Sequence, residues 1–266
     1  MLALLGQLTP GAESPAADAR RVAATLRARP EAEIAVFPEL FLGGYRLRNP
    51  GAIACDLGGE ELATIAAACA EARTAALVGF VESGPLGFHD SVACIDERGE
   101  LVVAYRKVQL FGEEAASYRP GKWLEVVELA GRKVAPLVCF DVEFPELARA
   151  AAMAGADLLV TCAANMEPFA AEHRLHARAR ALENRVPHLY VNRVGSEEGM
   201  RFVGGSCAID TDGTVLRAAE DDGEEIFLVE VGGAGAADAR VDYLSFEPTR
   251  MPVEVRSKSP VKGGAR

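Results

Sequence analysis

Residues 136–147 read Pro136-Leu137-Val138-Cys139-Phe140-Asp141-Val142-Glu143-Phe144-Pro145-Glu146-Leu147. An apolar strand stops on a cysteine, acidic residues follow at once, and Pro145 is placed to open a helix. A cysteine acting as a small buried hydrophobe belongs inside an apolar run. Cys139 stands at the end of one, where strand gives way to helix, and the rest of the chain decides whether that thiol reacts.

Either side of this unit, short runs rich in Val, Ile and Leu alternate with Ala-rich stretches of helical character. The pattern predicts strands at 2–8, 33–37 and 75–82, with helices at about 15–27 and 60–73 between them. Segments 91–96 and 101–108 flank Glu97-Arg98-Gly99-Glu100 as a hairpin. The strand at 134–139 is followed by a helix at 145–154, a strand at 157–162, a helix at 168–185 and a strand at 188–194. A second hairpin joins 202–210 to 214–217 through Asp212-Gly213, and a last strand covers 225–231. Hairpins mixed with strand-helix-strand units imply mixed sheets covered by helices, a layered α/β architecture.

The chain has 266 residues, 50% of them hydrophobic and 25% charged, which is the balance of a soluble globular protein. No linker-like stretch divides it, so a single domain over 1–245 is expected, followed by a basic, Pro- and Gly-containing tail over 246–266. A net charge of -11 argues against a nucleic-acid partner, because phosphate binding relies on clustered Lys and Arg. The six cysteines are scattered without a C-x-x-C pair, so zinc-ribbon and dithiol readings fall away. Neither a leader peptide nor a membrane-length apolar run is legible, and a cytoplasmic, reduced protein without membrane association is expected.

Three polar groups share one setting at the end of an apolar strand: Glu39 after Phe37-Pro38, Lys107 after Tyr105-Arg106, and Cys139. Singly, each has an ordinary explanation as a loop carboxylate, a solvated ammonium or a buried thiol. Strand ends in layered α/β folds converge on one rim, so the three can meet in a pocket. A thiol with a pKa near about 8.5 must lose its proton to attack, which a nearby cation and a helix N-terminus favour. Glu39 can accept that proton and later pass it to a leaving amine, while Lys107 and the Phe140 N–H can hold an oxyanion.

These stretches, Phe37-Pro38-Glu39, Tyr105-Arg106-Lys107 and Cys139-Phe140-Asp141-Val142-Glu143-Phe144-Pro145-Glu146, resemble in order the motifs of the carbon-nitrogen hydrolase family, the nitrilase superfamily. The likeness extends from Gln7 to about Tyr243. It implies a four-layer αββα sandwich, a Glu-Lys-Cys catalytic set of Glu39, Lys107 and Cys139, hydrolysis through a thioester, and a homodimer. It also implies a second glutamate beyond the lysine. Alignment from Pro120-Gly121 selects Glu114, with Glu113 as the alternative. Phe140, Asn165, Glu143 and Tyr45 are the expected oxyanion and substrate contacts, and no metal or organic cofactor is expected. Gln109 and Glu143 replace a His and an Arg common in the family, which with Ala163-Ala164-Asn165-Met166-Glu167-Pro168 looks like the amidase branch acting on small carboxamides.

Cys162, also at a strand end, is the rival nucleophile but lacks a following helix start, and with Asn165 it is expected to line the pocket wall. His173 and His176 are expected to be solvated or capping, since no third metal ligand lies near them in sequence. Gly204-Gly205-Ser206 lacks phosphate-loop spacing and is expected to serve close backbone approach or a bulge. The competing functions are nitrile or ureido hydrolysis, acyl transfer to an amine, and a binding-only member of the same fold. Replacing Lys107 by Ala is expected to damage chemistry more than folding.

Overall fold

The structure, a computed structural model, describes residues 1–11 and 14–232. The first half runs β1 (Leu2–Gln7), α1 (Pro15–Ala28), β2 (Ile34–Val36), α2 (Glu60–Ala72), β3 (Ala75–Gly84), β4 (Gly87–Ile95) and β5 (Leu101–Arg106). A short helix α3 (Glu114–Ser117) leads to β6 (Val127–Leu129), β7 (Arg132–Val138), α4 (Pro145–Met153), β8 (Leu158–Ala163), α5 (Ala170–Asn184) and β9 (His188–Asn192). Then come β10 (Val194–Glu197), β11 (Met200–Val203), β12 (Cys207–Ile209), β13 (Val215–Ala218) and β14 (Glu225–Glu230).

Two six-stranded mixed sheets result, ordered β14-β1-β2-β3-β4-β5 and β13-β12-β9-β8-β7-β6, beside a β10-β11 ribbon. Each sheet has a parallel centre, β1-β2-β3 in one and β7-β8-β9 in the other. The two-residue period of a strand sorts side chains between layers. In β1, Ala3 and Leu5 enter the core between the sheets while Leu4 packs with α1 and α2. In β8, Val160 and Cys162 face that same core, whereas Leu159 packs with α4 and Ala163 with α5. The four layers are therefore α, β, β and α, as the sequence motifs imply.

Local chemistry fixes the helix that covers the first sheet. The Ser14 hydroxyl caps α1 by accepting from the Ala17 N–H at 3.2 Å, Pro15 opens it, and Val22, Ala23 and Leu26 form its buried stripe. Removing a side chain such as fully buried Leu26 forfeits about 2 kcal/mol of transfer free energy before any cavity term. On the other side, Pro145 starts α4, and Ala148, Ala151 and Ala152 let it lie close on its sheet.

Three boundaries differ from expectation. β4 begins at Gly87 rather than 91, pairing with β3 as far as Gly84. The β6–β7 hairpin is too short to leave a readable period. The run expected as one strand over 202–210 breaks at Gly204 and Gly205, which have φ of +41° and +69°, so β11 joins the ribbon and β12 the second sheet. A Cβ on Gly204 would stand 2.7 Å from Gln7 Nε2. Gln7 needs that space, because its Oε1 accepts from the Ser206 N–H at 3.0 Å while its Nε2 donates to the Glu220 and Gly223 carbonyls. The expected domain end at 245 and the tail over 246–266 lie outside the described residues. Among the described residues no helix is long and apolar enough to cross a membrane.

Candidate active site

Glu39 follows β2 on a loop pressed against β3, where the Phe37 N–H donates to Leu77 O at 2.9 Å and the Gly79 N–H to Pro38 O at 3.1 Å. Gly79 permits this approach, since a Cβ there would lie 2.3 Å from Pro38 O and 2.6 Å from Glu39 Cα. Lys107 follows β5, its N–H donating to Asp90 O at 2.9 Å and its carbonyl accepting from Gly121 N–H at 2.7 Å. Cys139 ends β7 and opens a five-residue 3-10 turn, Cys139–Glu143. Its φ of +41° is a left-handed conformation that a non-glycine residue holds only where its surroundings impose it.

Asp141 imposes much of it, and so explains one of the acidic residues after the cysteine. One carboxylate oxygen accepts from the Val138 N–H at 3.0 Å and the Tyr105 hydroxyl at 2.9 Å. The other accepts from the Gln109 and Val108 N–H groups at 2.8 and 3.2 Å. Asp141 therefore ties the end of β7 to the loop beside Lys107, across the two sheets. Burial pushes its carboxyl up to about 6 against the pull of these donors. Arg180 fixes the turn from the other side by donating to the Val142 and Glu143 carbonyls at 2.8 Å each.

The Glu39 and Lys107 strand ends meet directly, and Cys139 lines the same cleft as Glu114, which joins them. Lys107 Nζ donates to Glu39 Oε1 at 2.6 Å and Glu114 Oε1 at 2.8 Å and lies 3.4 Å from Asp90 Oδ2, all four side chains being at most 1% exposed. Glu114 also accepts from the Tyr45 hydroxyl at 2.5 Å and the Phe111 N–H at 2.7 Å. Glu113 is exposed. Oxygens of Glu39, Asp90 and Glu114 lie within 4.8 Å of one another, a donor set that suits a metal ion, but the cation these carboxyls share is the Lys107 ammonium.

Burial alone would lower the Lys107 pKa, yet Glu114, Glu39 and Asp90 outweigh it and hold the ammonium well above its ordinary value. Glu39 is pushed up by burial and pulled further down by the charge and hydrogen bond of the Lys107 ammonium, so it sits below the usual carboxylate range. Burial, then the Glu39 charge, drives Asp90 well above that range. The Cys139 thiol is likewise raised well above its ordinary value, first by burial and then by Glu39, against Lys107. The help expected from a nearby cation and a helix N-terminus is thus outweighed, and the proton is left for Glu39 to accept. The resting thiol is neutral, and α4, which begins only at Pro145, leaves Cys139 outside its first turn.

A cleft of about 320 Å³ opens over the sulfur. Phe111, Phe140, Phe169 and Met166 supply an apolar wall, with Phe111 and Phe140 rings edge to face at 5.2 Å. The residues expected on the substrate side, Tyr45, Phe140, Glu143 and Asn165, all line it, together with Glu114 and Cys139. Among the described residues the lining contains no Lys or Arg side chain.

Two expectations are corrected. Cys162 is fully buried in the core between the sheets and takes no part in the cleft wall, because its β8 position points inward. His173 is not solvated: it is 1% exposed, its Nδ1 lies 2.8 Å from the Tyr190 hydroxyl, and its Nε2 lies 3.2 Å from Cys139 O and 3.9 Å from Cys139 Sγ. Burial lowers it to about 4, so it is neutral near pH 7. His176, one turn on, is half-buried beside Arg180. Asp90, Asp141 and His173 are the site residues that sequence reading missed. Nothing local marks Asp90, which lies between His89 and Ser91, or His173.

A family profile described as "Carbon-nitrogen hydrolase" matches residues 4–240. An (R)-stereoselective amidase from a Pseudomonas species is 34% identical over 220 residues, 80% of this chain and 79% of that protein. A probable nitrilase of Schizosaccharomyces pombe is 32% identical over 232 residues, 85% of each. Among solved structures, a variant of the amidase from Nesterenkonia sp. AN1 in complex with acrylamide superposes with a TM-score of 0.80 at 28% identity, covering 92% of each chain.

Proposed function

The chain belongs to the carbon-nitrogen hydrolase family, enzymes that hydrolyse carbon-nitrogen bonds other than peptide bonds, and on that premise we propose that it is an amidase acting on a small carboxamide. Cys139 Sγ attacks the amide carbon as Glu39 accepts the thiol proton. The oxyanion is held by the Lys107 ammonium and the Phe140 N–H, the pair aimed at charge that exists only after attack. Glu39 then delivers its proton to the amine nitrogen, the C–N bond breaks, and ammonia leaves a Cys139 thioester. Water, deprotonated by the same carboxylate, releases the carboxylic acid and restores the thiol. Glu114 holds Lys107 in line and, with Tyr45, faces the cleft.

The observation that carries this reading is the single buried contact set joining Lys107 to Glu39 and Glu114 beneath a half-buried thiol. A neutral thiol beside an ionised carboxylate suits proton transfer coupled to attack. The narrow, aromatic-walled cleft suits a short acyl chain, and neighbouring Asn165 suits a polar amide. A homodimer in the cytoplasm belongs to the same reading, and light scattering at micromolar concentration tests the assembly.

The deciding experiment is ammonia release from short carboxamides, ureido acids and nitriles by the wild type, Cys139→Ala and Glu39→Gln. Release from amides that both substitutions lower by about 10³-fold or more supports the assignment. Full turnover in Glu39→Gln, or preferential release from nitriles, overturns it.

A further inference from the structure

Asp90 is the member of the buried cluster that the reaction leaves without a task. Its side chain in β4 is fully enclosed, with Oδ2 3.4 Å from Lys107 Nζ. Among the described residues, neither of its oxygens has a hydrogen-bond partner, and neither does Glu39 Oε2. Yet a carboxyl oxygen of Asp90 lies within 4.8 Å of one of Glu39. Two ionised carboxylates are acceptors only, so such a contact is satisfied only when one of them carries a proton. A single proton then gives an orphaned oxygen on each side a partner.

The partners show which carboxyl carries it. Glu39 accepts from the ammonium at 2.6 Å, and Glu114 accepts from the ammonium, the Tyr45 hydroxyl and the Phe111 N–H. Each has donors that favour a charge. Asp90 has none closer than the ammonium at 3.4 Å. Three ionised carboxyls would also set three negative charges against one positive in a dry site that must tolerate charge transfer from the thiol. Interacting with Asp90 are Glu39 on the loop after β2, Lys107 after β5, Glu114 of α3, Tyr118, whose buried hydroxyl has no partner among the described residues, and Cys162 from the second sheet.

We propose that Asp90 is a neutral carboxylic acid whose O–H donates to Glu39 Oε2, a positioning residue that fixes the rotation of the carboxylate receiving the Cys139 proton. Its kinetic consequence rests on the amidase reading; its protonation does not. A carboxamide offers the same donor and acceptor as a protonated carboxyl, so Asp90→Asn imitates the proposed state, whereas Asp90→Leu offers neither.

Two measurements on the full chain test this. In infrared difference spectra at pH 7, wild type minus Asp90→Asn, a carboxylic-acid carbonyl band that shifts in D₂O is expected, and a carboxylate band in its place overturns the protonation. In amide turnover, Asp90→Leu is expected to lower kcat by about 100-fold with KM within about 3-fold, as a misaimed base does. Asp90→Asn is expected to recover at least about 10-fold of that loss, with pH-rate limbs unshifted. An Asp90→Asn variant that melts like wild type but is no faster than Asp90→Leu, or whose limbs move by a full unit, overturns the positioning role. If no amide is turned over even by the wild type, the amidase reading fails while the infrared band still decides the state of Asp90.

Discussion

Lys107 Nζ stands 2.6 Å from Glu39 Oε1, closing a buried ion pair between residues 68 apart in the chain. Both side chains are removed from water, so each depends on the other for its charge. The sequence reading expected Lys107→Ala to damage chemistry more than folding, and the buried ion pairs add the expectation of a folding cost beside it. Lys107→Met would leave Glu39 and Glu114 buried without their cation. A stability loss of about 3–5 kcal/mol in urea titration is expected alongside loss of turnover. A variant that keeps wild-type stability would show that the carboxyls take up protons without cost.

Tyr45 reaches Glu114 through one hydrogen bond at 2.5 Å and also stacks near Phe202, with ring centroids 5.7 Å apart. Tyr45→Phe keeps the ring and deletes the hydroxyl. A charged acceptor loses one of its donors, worth about 1.5–3 kcal/mol, so kcat/KM should fall by about 10- to 100-fold while the melting temperature moves little. Steady-state kinetics on the best amide substrate checks this, and an unaffected kcat/KM would detach Tyr45 from the working of Glu114.

Glu143 brings a carboxylate to the cleft wall 4.0 Å from His173 Nε2, with no Lys or Arg side chain in the lining among the described residues. Its charge should repel amides that carry a carboxylate. Propionamide is expected to be turned over at least about 10-fold faster than succinamate at low substrate concentration, and Glu143→Gln should narrow that ratio by about 10-fold. An unchanged ratio in Glu143→Gln would place the origin of any preference elsewhere.

His188 and His173 are both lowered to about 4 by burial from an ordinary 6.5. A base with a depressed folded-state value binds fewer protons folded than unfolded, so its contribution is complete above pH 6.5 and is lost as pH falls toward 4. Each accounts for about 3 kcal/mol over that window. Asp141, raised to about 6, acts in the opposite direction over part of it. Neutral His188 fits its site, since one ring nitrogen faces Ala177 O at 3.0 Å and the other the Thr161 hydroxyl at 2.8 Å. His188→Gln should be less stable than wild type at pH 7 but lose less further stability between pH 7 and 4.5, as read by denaturant titration at each pH. Parallel pH dependences would mean that His188 titrates normally.

The legible part of the site was the part written in strand ends. Glu39, Lys107 and Cys139 each close an apolar run, and the choice of Glu114 over Glu113 followed from the distance back from Pro120-Gly121. Asp90 was not read because the polar stretch His89-Asp90-Ser91 at the start of β4 looks the same whether it meets solvent or a buried lysine. His173 was misread because a histidine on a half-polar helix has no local mark of burial. Its environment comes from Tyr190 and the Cys139 turn, which are distant in sequence.

By itself the sequence determined the layered α/β order, the family, and the three chemical groups placed at strand ends, because periodicity, turn residues and motif order are properties of neighbours along the chain. The tertiary structure alone decided that the Cys139 thiol rests neutral, that four ionisable side chains share one dry cluster, and that Asp141 ties the end of one sheet's β7 to the loop beside the other sheet's lysine. Burial and electrostatic coupling depend on distances through space, and two sheets packed face to face set those distances with no trace in local sequence.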